Sequence, residues 1–328
     1  MVFLIIILFV ISFNIKAEMN FNGYIQNWFS VTTNNNDPDQ GDIWGFSNRR
    51  IRFIPTGNLG EKFEWGIYFS FDKFSPEILE AYLKYSITKF INLRVGKWSA
   101  PGAVSGSITH SDTLDFIERA PITRLWGARN ALSGYRAVGV EMSGKFMNDR
   151  IFYALMISNA VTDKNNWMST LNSLTSSNEH NGLAFWGRLE ASPLNGLRIG
   201  GFYGSGTEED SAGNNIKRGS SGAHVFFVKE GFNFKVEYIS GDITGIKYSG
   251  MYVLFGYKFN NIEPIIRYDN YKPIEGKEKF TDYTVGINFT PDDNVKLQAN
   301  YIYREESISS IPNNIFYLNF QFSFNSKK

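Results

Sequence analysis

The sequence contains no cysteine and only three histidines. The first absence excludes disulfide frameworks, paired-thiol redox chemistry and thiolate metal sites. The second leaves His110, His180 and His224 as thin material for a zinc centre, and no metal or cofactor is expected. An excess of either charge is missing too. With 33 Lys+Arg against 32 Asp+Glu the formal net charge is +1, so no nucleic-acid partner is expected. Only 10 Pro and 30 Gly are present, which argues against collagen-like or low-complexity chains. Long apolar runs are almost absent. The one clear run, residues 2–13, is too short to span a bilayer, which takes about 20 residues. It is followed by a short polar stretch and Ala17. It reads as a signal peptide over residues 1–17, leaving 18–328 as a single exported domain. With no other such run, a helical inner-membrane protein is excluded.

What the sequence has in abundance is aromatic residues, at 16% with 29 Phe and 17 Tyr, and alternation. Phe63, Trp65, Ile67, Phe69 and Phe71 are separated by Glu64, Gly66, Tyr68 and Ser70. Side chains of a strand point to opposite faces in turn, so one face is apolar and the other mostly polar. The same reading applies to Leu79, Ala81, Leu83 and Tyr85 against Glu80, Tyr82 and Lys84. It applies to Phe232, Phe234, Val236 and Tyr238 against Lys235 and Glu237, and to Tyr283, Val285, Ile287 and Phe289 against Asp282, Thr284 and Asn288. About sixteen such segments of roughly 10 residues follow one another, the size of a transmembrane strand. No comparable segment has helical period.

Connection lengths sort by parity. Odd-to-even connections include long polar ones at 33–42, 99–133, 161–181 and 205–221. Even-to-odd ones are tight, at 56–61, 144–149, 192–195, 230–231, 260–261 and 290–294. Outer-membrane barrels sort their loops this way, long outside and short on the periplasmic side. An interior bounded by sixteen strands is too wide for side chains to fill and holds water. The apolar phase must then face lipid, and closure pairs every backbone group, as hydrocarbon requires. The expected fold is an all-β transmembrane antiparallel barrel of about sixteen strands, with long extracellular loops, short periplasmic turns and aromatic girdles at the two interfaces. A soluble β-helix or propeller would show coil or blade repeats, which are missing.

The polar phase then lines the pore. Its cations Arg50, Arg52, Lys84, Arg94, Arg188 and Arg267 are candidate anion-contacting residues. Rings of Arg and Lys favour anions, and guanidinium presents a fork suited to phosphate oxygens. The bland alternative is that such arginines pair with acids across strands and stiffen the wall. The longest connection, 99–133, is expected to fold into the barrel and narrow it, and it adds Arg119, Arg124 and Arg129 to the candidates. Arg49 and Arg136 fall on the apolar phase, which puts each at the rim or beside a bulge.

Particular stretches resemble the phosphate-selective porin O and P family. They are Phe46-Ser47-Asn48-Arg49-Arg50-Ile51-Arg52-Phe53 with Gly57, Ala81-Tyr82-Leu83-Lys84-Tyr85, and Leu93-Arg94-Val95-Gly96-Lys97 with Pro101-Gly102. Asp115-Phe116-Ile117-Glu118-Arg119, Pro264-Ile265-Ile266-Arg267-Tyr268-Asp269 and Val295-Lys296-Leu297-Gln298-Ala299-Asn300-Tyr301 complete the likeness. The resemblance implies a trimeric sixteen-stranded porin of the bacterial outer membrane. It further implies a third loop that constricts the channel and Arg and Lys side chains that hand phosphate along it. Residues 325–328 extend past the aromatic Phe324 that would close such a barrel.

The expected function is passive diffusion of small anions, phosphate among them, with outer-membrane lipid outside and a homotrimeric assembly. A general non-selective porin and a surface adhesin barrel are the alternatives. An enzyme is not expected. His110-Ser111-Asp112 is the one cluster of suitable types, and adjacent loop residues do not generally converge as a triad.

Overall fold

The computed structural model describes residues 17–33, 41–72, 76–127, 136–159, 182–209, 214–272, 279–308 and 313–326. The apolar segment 1–16, the connection 160–181, Arg129 and the last two lysines lie outside the described residues.

Sixteen strands follow in chain order. They are β1 Ala17–Thr32, β2 Ile43–Leu59, β3 Phe63–Ser70, β4 Glu77–Thr88, β5 Ile91–Ser99 and β6 Arg136–Phe146. Then come β7 Ile151–Asn159, β8 Leu183–Ala191, β9 Leu197–Glu209, β10 Asn215–Lys229 and β11 Phe232–Ile243. The last are β12 Ile246–Tyr257, β13 Ile262–Lys272, β14 Phe280–Asp292, β15 Val295–Glu306 and β16 Ile315–Asn325. Each pairs antiparallel with its neighbours, and β1 pairs with β16 to close the barrel. Closure leaves no edge strand, so no ladder group is left facing hydrocarbon.

The alternation sorts as its chemistry requires. Phe185 and Val285 are each 53% exposed on the outside, whereas Thr284 is 2% and Asp269 1% exposed on the inside. Outward aromatics gather in two tiers. Tyr268, Tyr283 and Tyr303 sit side by side in register toward the loop end. Phe232, Tyr257 and Phe259 cluster at the turn end. These are the girdles expected where hydrocarbon gives way to headgroups.

Tight turns are built from left-handed residues. Glu230-Gly231 and Thr244-Gly245 have φ of 53°, 86°, 51° and 85°. Positive φ at both central positions gives the two-residue turn whose twist matches flanking strands, and glycine takes the second position without strain. Chain closure uses another glycine. Gly23 is in register with Phe324, and a Cβ there would lie 2.4 Å from the Phe324 ring. Beyond Phe324, Ser326 exchanges hydrogen bonds with Phe21, its hydroxyl accepting from the Phe21 N–H at 2.8 Å. Residues 325 and 326 therefore continue the seam.

One expectation changes, and the alternatives left for Arg49 are decided in favour of the bulge. The stretch 205–221 is not a loop: β9 and β10 run through most of it in register, from Asn215 opposite Glu209 to Ser221 opposite Tyr203. Polar, glycine-rich composition signalled a loop, but cross-strand pairing lets such residues extend a hairpin past the apolar band. Arg49 is the residue left unpaired where Gln26 faces Arg50 and Asn27 faces Asn48. This bulge re-aims it from the lipid face into the lumen.

Candidate functional site

The connection after β5 turns inward. It forms short helical turns at Val104–Ile108, Ser111–Thr113 and Ile122–Gly127 and is fastened to the wall at several points between residues 104 and 122. Glu237 accepts the N–H groups of Val104 and Ser105 at 2.7 and 3.0 Å. Gln26 donates to the Ser111 carbonyl at 3.0 Å and Gln321 to that of Asp112 at 3.2 Å. Asn288 and Gln298 donate to the Asp115 carbonyl at 2.9 and 3.1 Å, and Asn300 accepts the Ile117 N–H at 2.8 Å. Lys235 pairs with the Asp115 carboxylate at 2.7 Å. Behind these bonds Val104, Phe116, Ala120 and Ile122 pack on Phe202, Phe226, Ile239, Tyr252, Leu254 and Ile265 of β9–β13. These anchors belong to β1 and β9–β16, while fewer contacts reach the other side, His110 stacking on Tyr68 and Ala100 packing beside Trp98. The described part of the loop therefore packs mainly on that half of the lumen, and a cavity remains among the described residues on the β2–β9 side, called the open half below.

At the boundary between the halves, Glu118 of the loop gathers arginines. Arg49 lies 3.4 Å, Arg50 3.6 Å and Arg124 3.4 Å from its carboxylate. The bulge lets consecutive residues Arg49 and Arg50 both reach it, each guanidinium standing over Trp28 at 5.2 and 5.1 Å. Burial disfavours the Glu118 charge. Arg50, Arg49, Arg124 and Arg119 outweigh that cost and hold the carboxyl below the ordinary carboxylate range. Three guanidiniums around one carboxylate leave a positive surplus at the narrowing. Arg119 is employed differently. It donates to the carbonyls of Ser105 at 2.9 Å, Thr109 at 2.7 Å and Gly106, and to the Ser111 hydroxyl at 3.1 Å. Burial, with Arg50 and Arg136 nearby, pushes this guanidinium down to about 10.

The open half holds a cavity of about 650 Å³, lined among others by Tyr82, Arg94, Trp98, Glu141, Lys145, Phe152, Arg188 and Arg198. Arg94 lies 4.8 Å from the Tyr82 ring centre and 5.5 Å from that of Trp98. Its Nε is buried without a hydrogen-bond partner, and it pairs with no carboxylate among the described residues. The acids facing this cavity are mostly taken. Glu80 accepts from Arg136 at 2.8 Å and from Ser99 at 3.0 Å. Glu141 accepts the Trp98 indole N–H at 3.1 Å. Glu190 serves Arg188, Arg198 at 3.2 Å and His224 at 3.1 Å.

The candidates from sequence thus divide. Arg50 and Arg124 converge at the narrowing, and Arg94 faces the open cavity. Arg52 is held by Asp72 and Ser70, Lys84 by Glu64 at 3.0 Å, and Arg188 by Glu190. Arg267 is held by Asp269 at 2.7 Å and the Glu118 carbonyl at 3.1 Å. Sequence reasoning missed Glu118 as the hub, and it left Arg49 and Arg136 open between the rim and a bulge. A usable signal was the Arg49-Arg50 pair, because adjacent arginines in a strand share a face only across a bulge. Among the described residues, no group of three or more His, Asp or Glu is placed to hold a metal ion.

Comparison with solved structures gives porins. An anion-selective porin from Comamonas acidovorans matches with a TM-score of 0.72 at 11% identity, over 94% of this chain and 100% of that one. A loop-deletion mutant of the Vibrio cholerae outer-membrane protein OmpT matches at 0.66 and 12%, over 94% and 99%. Salmonella typhi OmpF, in complex with daunomycin, matches at 0.66 and 11%, over 94% and 98%. No curated protein matches by sequence. The family model of the phosphate-selective porin O and P matches residues 20–324, so the chain belongs to that family and is a porin of the bacterial outer membrane.

Proposed function

We propose that this porin passes small anions, phosphate among them, by unpowered diffusion through the open half of its lumen. The observation that carries the reading is the convergence of Arg49, Arg50 and Arg124 on the single carboxylate of Glu118. An anion arriving there meets guanidinium donors in surplus. Inward from that point Arg94 offers a guanidinium that forms no ion pair among the described residues, with Glu141 opposite it in register, and Arg198 stands 44% exposed beside its shared Glu190. Each step exchanges hydration for forked hydrogen bonds, and the surplus disfavours cations. The fold shared with an anion-selective porin supports the reading. The anion-contacting set is Arg49, Arg50, Arg94, Arg124 and Arg198. Arg52, Lys84, Arg188 and Arg267 stiffen the wall.

Trimeric assembly is part of this proposal. Its support is the outward aromatic row Phe21, Phe53 and Phe69 on β1–β3 with Phe71 just past β3, neighbouring ring centres lying 5.8, 6.3 and 6.4 Å apart. Export by cleavage after Ala17 is the matching proposal for residues 1–17, and N-terminal sequencing of the outer-membrane protein tests it. The test of selectivity is the reversal potential of the purified porin in a planar bilayer under a salt gradient, repeated with phosphate replacing chloride. Anion-selective potentials support the reading, and a cation-selective or unselective pore would overturn it.

A further inference from the structure

The open cavity of about 650 Å³ is not lined as a path for inorganic ions alone would be. Such a path needs donors and acceptors that replace hydration, and an apolar side chain offers neither. Yet Ile54 of β2, Tyr82 of β4, and Phe152 and Ala154 of β7 all open onto it. They fall on the inward phase, where polar residues are expected. Ile54, Tyr82 and Phe152 are half-buried, so part of each still meets the cavity. The Tyr82 ring is laid along the wall. Its register partner on β3 is Gly66, and a Cβ there would lie 2.8 Å from the ring. Glycine at that position gives the ring room to rest against the backbone.

An independent observation concerns charge. Five basic side chains line the cavity against four acids, a surplus of one. Arg94 is the lining cation with its hydrogen bonds unspent. It forms no ion pair among the described residues, and its Nε is buried without a partner. Two rings hold its guanidinium instead, Tyr82 at 4.8 Å and Trp98 at 5.5 Å from the ring centres. Glu141, opposite in register, gives its carboxylate to the Trp98 indole N–H at 3.1 Å. A guanidinium positioned by aromatic rings keeps its fork of N–H donors for a planar carboxylate.

We propose that the open cavity is a site for organic monocarboxylates with a flat apolar body, aromatic carboxylates being the class that fits it. The inference rests on the reading of the open half as the anion path and names the solute that path favours. Arg94 takes the carboxylate, whose single negative charge matches the surplus of one. Tyr82 and Phe152 take the ring. The volume falls among those of sites for small organic ligands, which span about 300–1,000 Å³ and combine apolar walls with a few placed polar groups. An inorganic oxyanion in the same cavity leaves the apolar wall wet, whereas an aryl group covers it.

The experiment records the purified porin in a planar bilayer in potassium chloride. Benzoate is compared with acetate, which has the carboxylate without the ring, and with inorganic phosphate. In wild type, benzoate lowers the chloride current saturably, at concentrations at least about tenfold below those that acetate or phosphate requires. Tyr82→Phe keeps that gap, because the ring and not the hydroxyl acts. Tyr82→Ala narrows it to less than about threefold, and so does Phe152→Ala, whose site near the start of β7 lies apart from the Trp98 cluster. Arg94→Gln weakens benzoate and acetate alike. Equal potency of benzoate and acetate in wild type overturns the proposal. So does a gap that both alanine variants preserve, a gap that Tyr82→Phe abolishes, or a benzoate block that Arg94→Gln leaves unaltered. The conduction reading is judged apart from this, by reversal potentials in chloride alone. An anion-selective pore that treats benzoate as it treats acetate keeps that reading and loses only this inference.

Discussion

The two halves of the barrel obey one alternation and use it for opposite purposes. Along β9–β13 the inward phase carries Phe202, Phe226, Ile239, Leu254 and Ile265, and a loop covers them. Along β14–β16 it carries amides that bond to one another and to the loop, as Asn319 does to Gln298 and Gln298 to Asn288, both at 2.9 Å. Along β2–β8 the inward phase carries most of the charge, Arg50, Arg52, Glu80, Arg94, Glu141 and Arg188, beside a smaller apolar cluster of Trp98, Ala137, Met156, Ala184 and Trp186 on β5–β8. Inward-facing and wet are therefore different properties. A lumen wall becomes dry wherever a loop pays for its own burial with apolar contacts and backbone bonds, and only the remainder conducts.

The largest expected effect breaks the dry half. Ile122 is 1% exposed within the loop-to-wall cluster. Ile122→Ala removes buried methyl groups and should cost about 2–5 kcal/mol. The loop would loosen, giving larger and noisier single-channel currents together with a lower denaturation midpoint. Equal noise in mutant and wild type would mean that the apolar seam does not hold the loop.

Next comes the hinge between the halves. Glu118→Gln leaves Arg49, Arg50 and Arg124 without their shared carboxylate. Removing one member of a buried ion cluster typically costs about 3–5 kcal/mol, and the 16% exposure of Glu118 puts this site toward the lower end of that range. The variant should gain anion preference while losing loop order, two readouts that move in opposite senses. Its acid counterpart has a definite sign. The folded-state value of Glu118 is depressed from an ordinary 4.5. Its contribution is therefore complete above that ordinary value and is lost as pH falls through the depressed one. Conductance should be steady from neutral pH down to about 5 and become unstable only in stronger acid. Instability that begins near pH 6 would show that another group controls the loop.

How much of this could be read in the sequence follows the same division. The barrel was legible because strict alternation, tight turns of one parity and missing helical spans are local features that closure converts directly into topology. The open half was legible in part, since Arg50 and Arg94 fall on the polar phase where the pairing places them. The dry half was not, although its mark was present. Ile239, Leu254 and Ile265 sit on the phase that should be polar, and apolar residues there point to a covering element. Treating every inward cation as a pore residue overlooked Lys235 and Arg267, which serve as anchors, and Arg119, which staples the loop to itself. Such roles depend on which carbonyl a loop brings within reach, and no spacing along one strand encodes that.

The smaller effects sharpen the contrast within the open half itself. Arg94→Gln removes a cation that forms no ion pair among the described residues, the opposed Glu141 bonding to the Trp98 indole instead. At an effective dielectric near that of a protein surface, one charge acting across about 10 Å is worth about 1–2 kcal/mol, so the anion-to-cation permeability ratio should fall by about five- to thirtyfold with folding unchanged. Lys84 points into the same half but is paired with Glu64 at 3.0 Å, with the acid 41% exposed. Such a pair contributes about 0–1 kcal/mol and cancels its own field at a distance. Lys84→Gln should then shift the reversal potential slightly, and in the direction of cations, because it frees Glu64. If Lys84→Gln matched Arg94→Gln in size, total inward charge would set selectivity and pairing would be irrelevant. If Lys84→Gln is small and Arg94→Gln large, the pore is governed by the few cations that its own acids leave uncompensated.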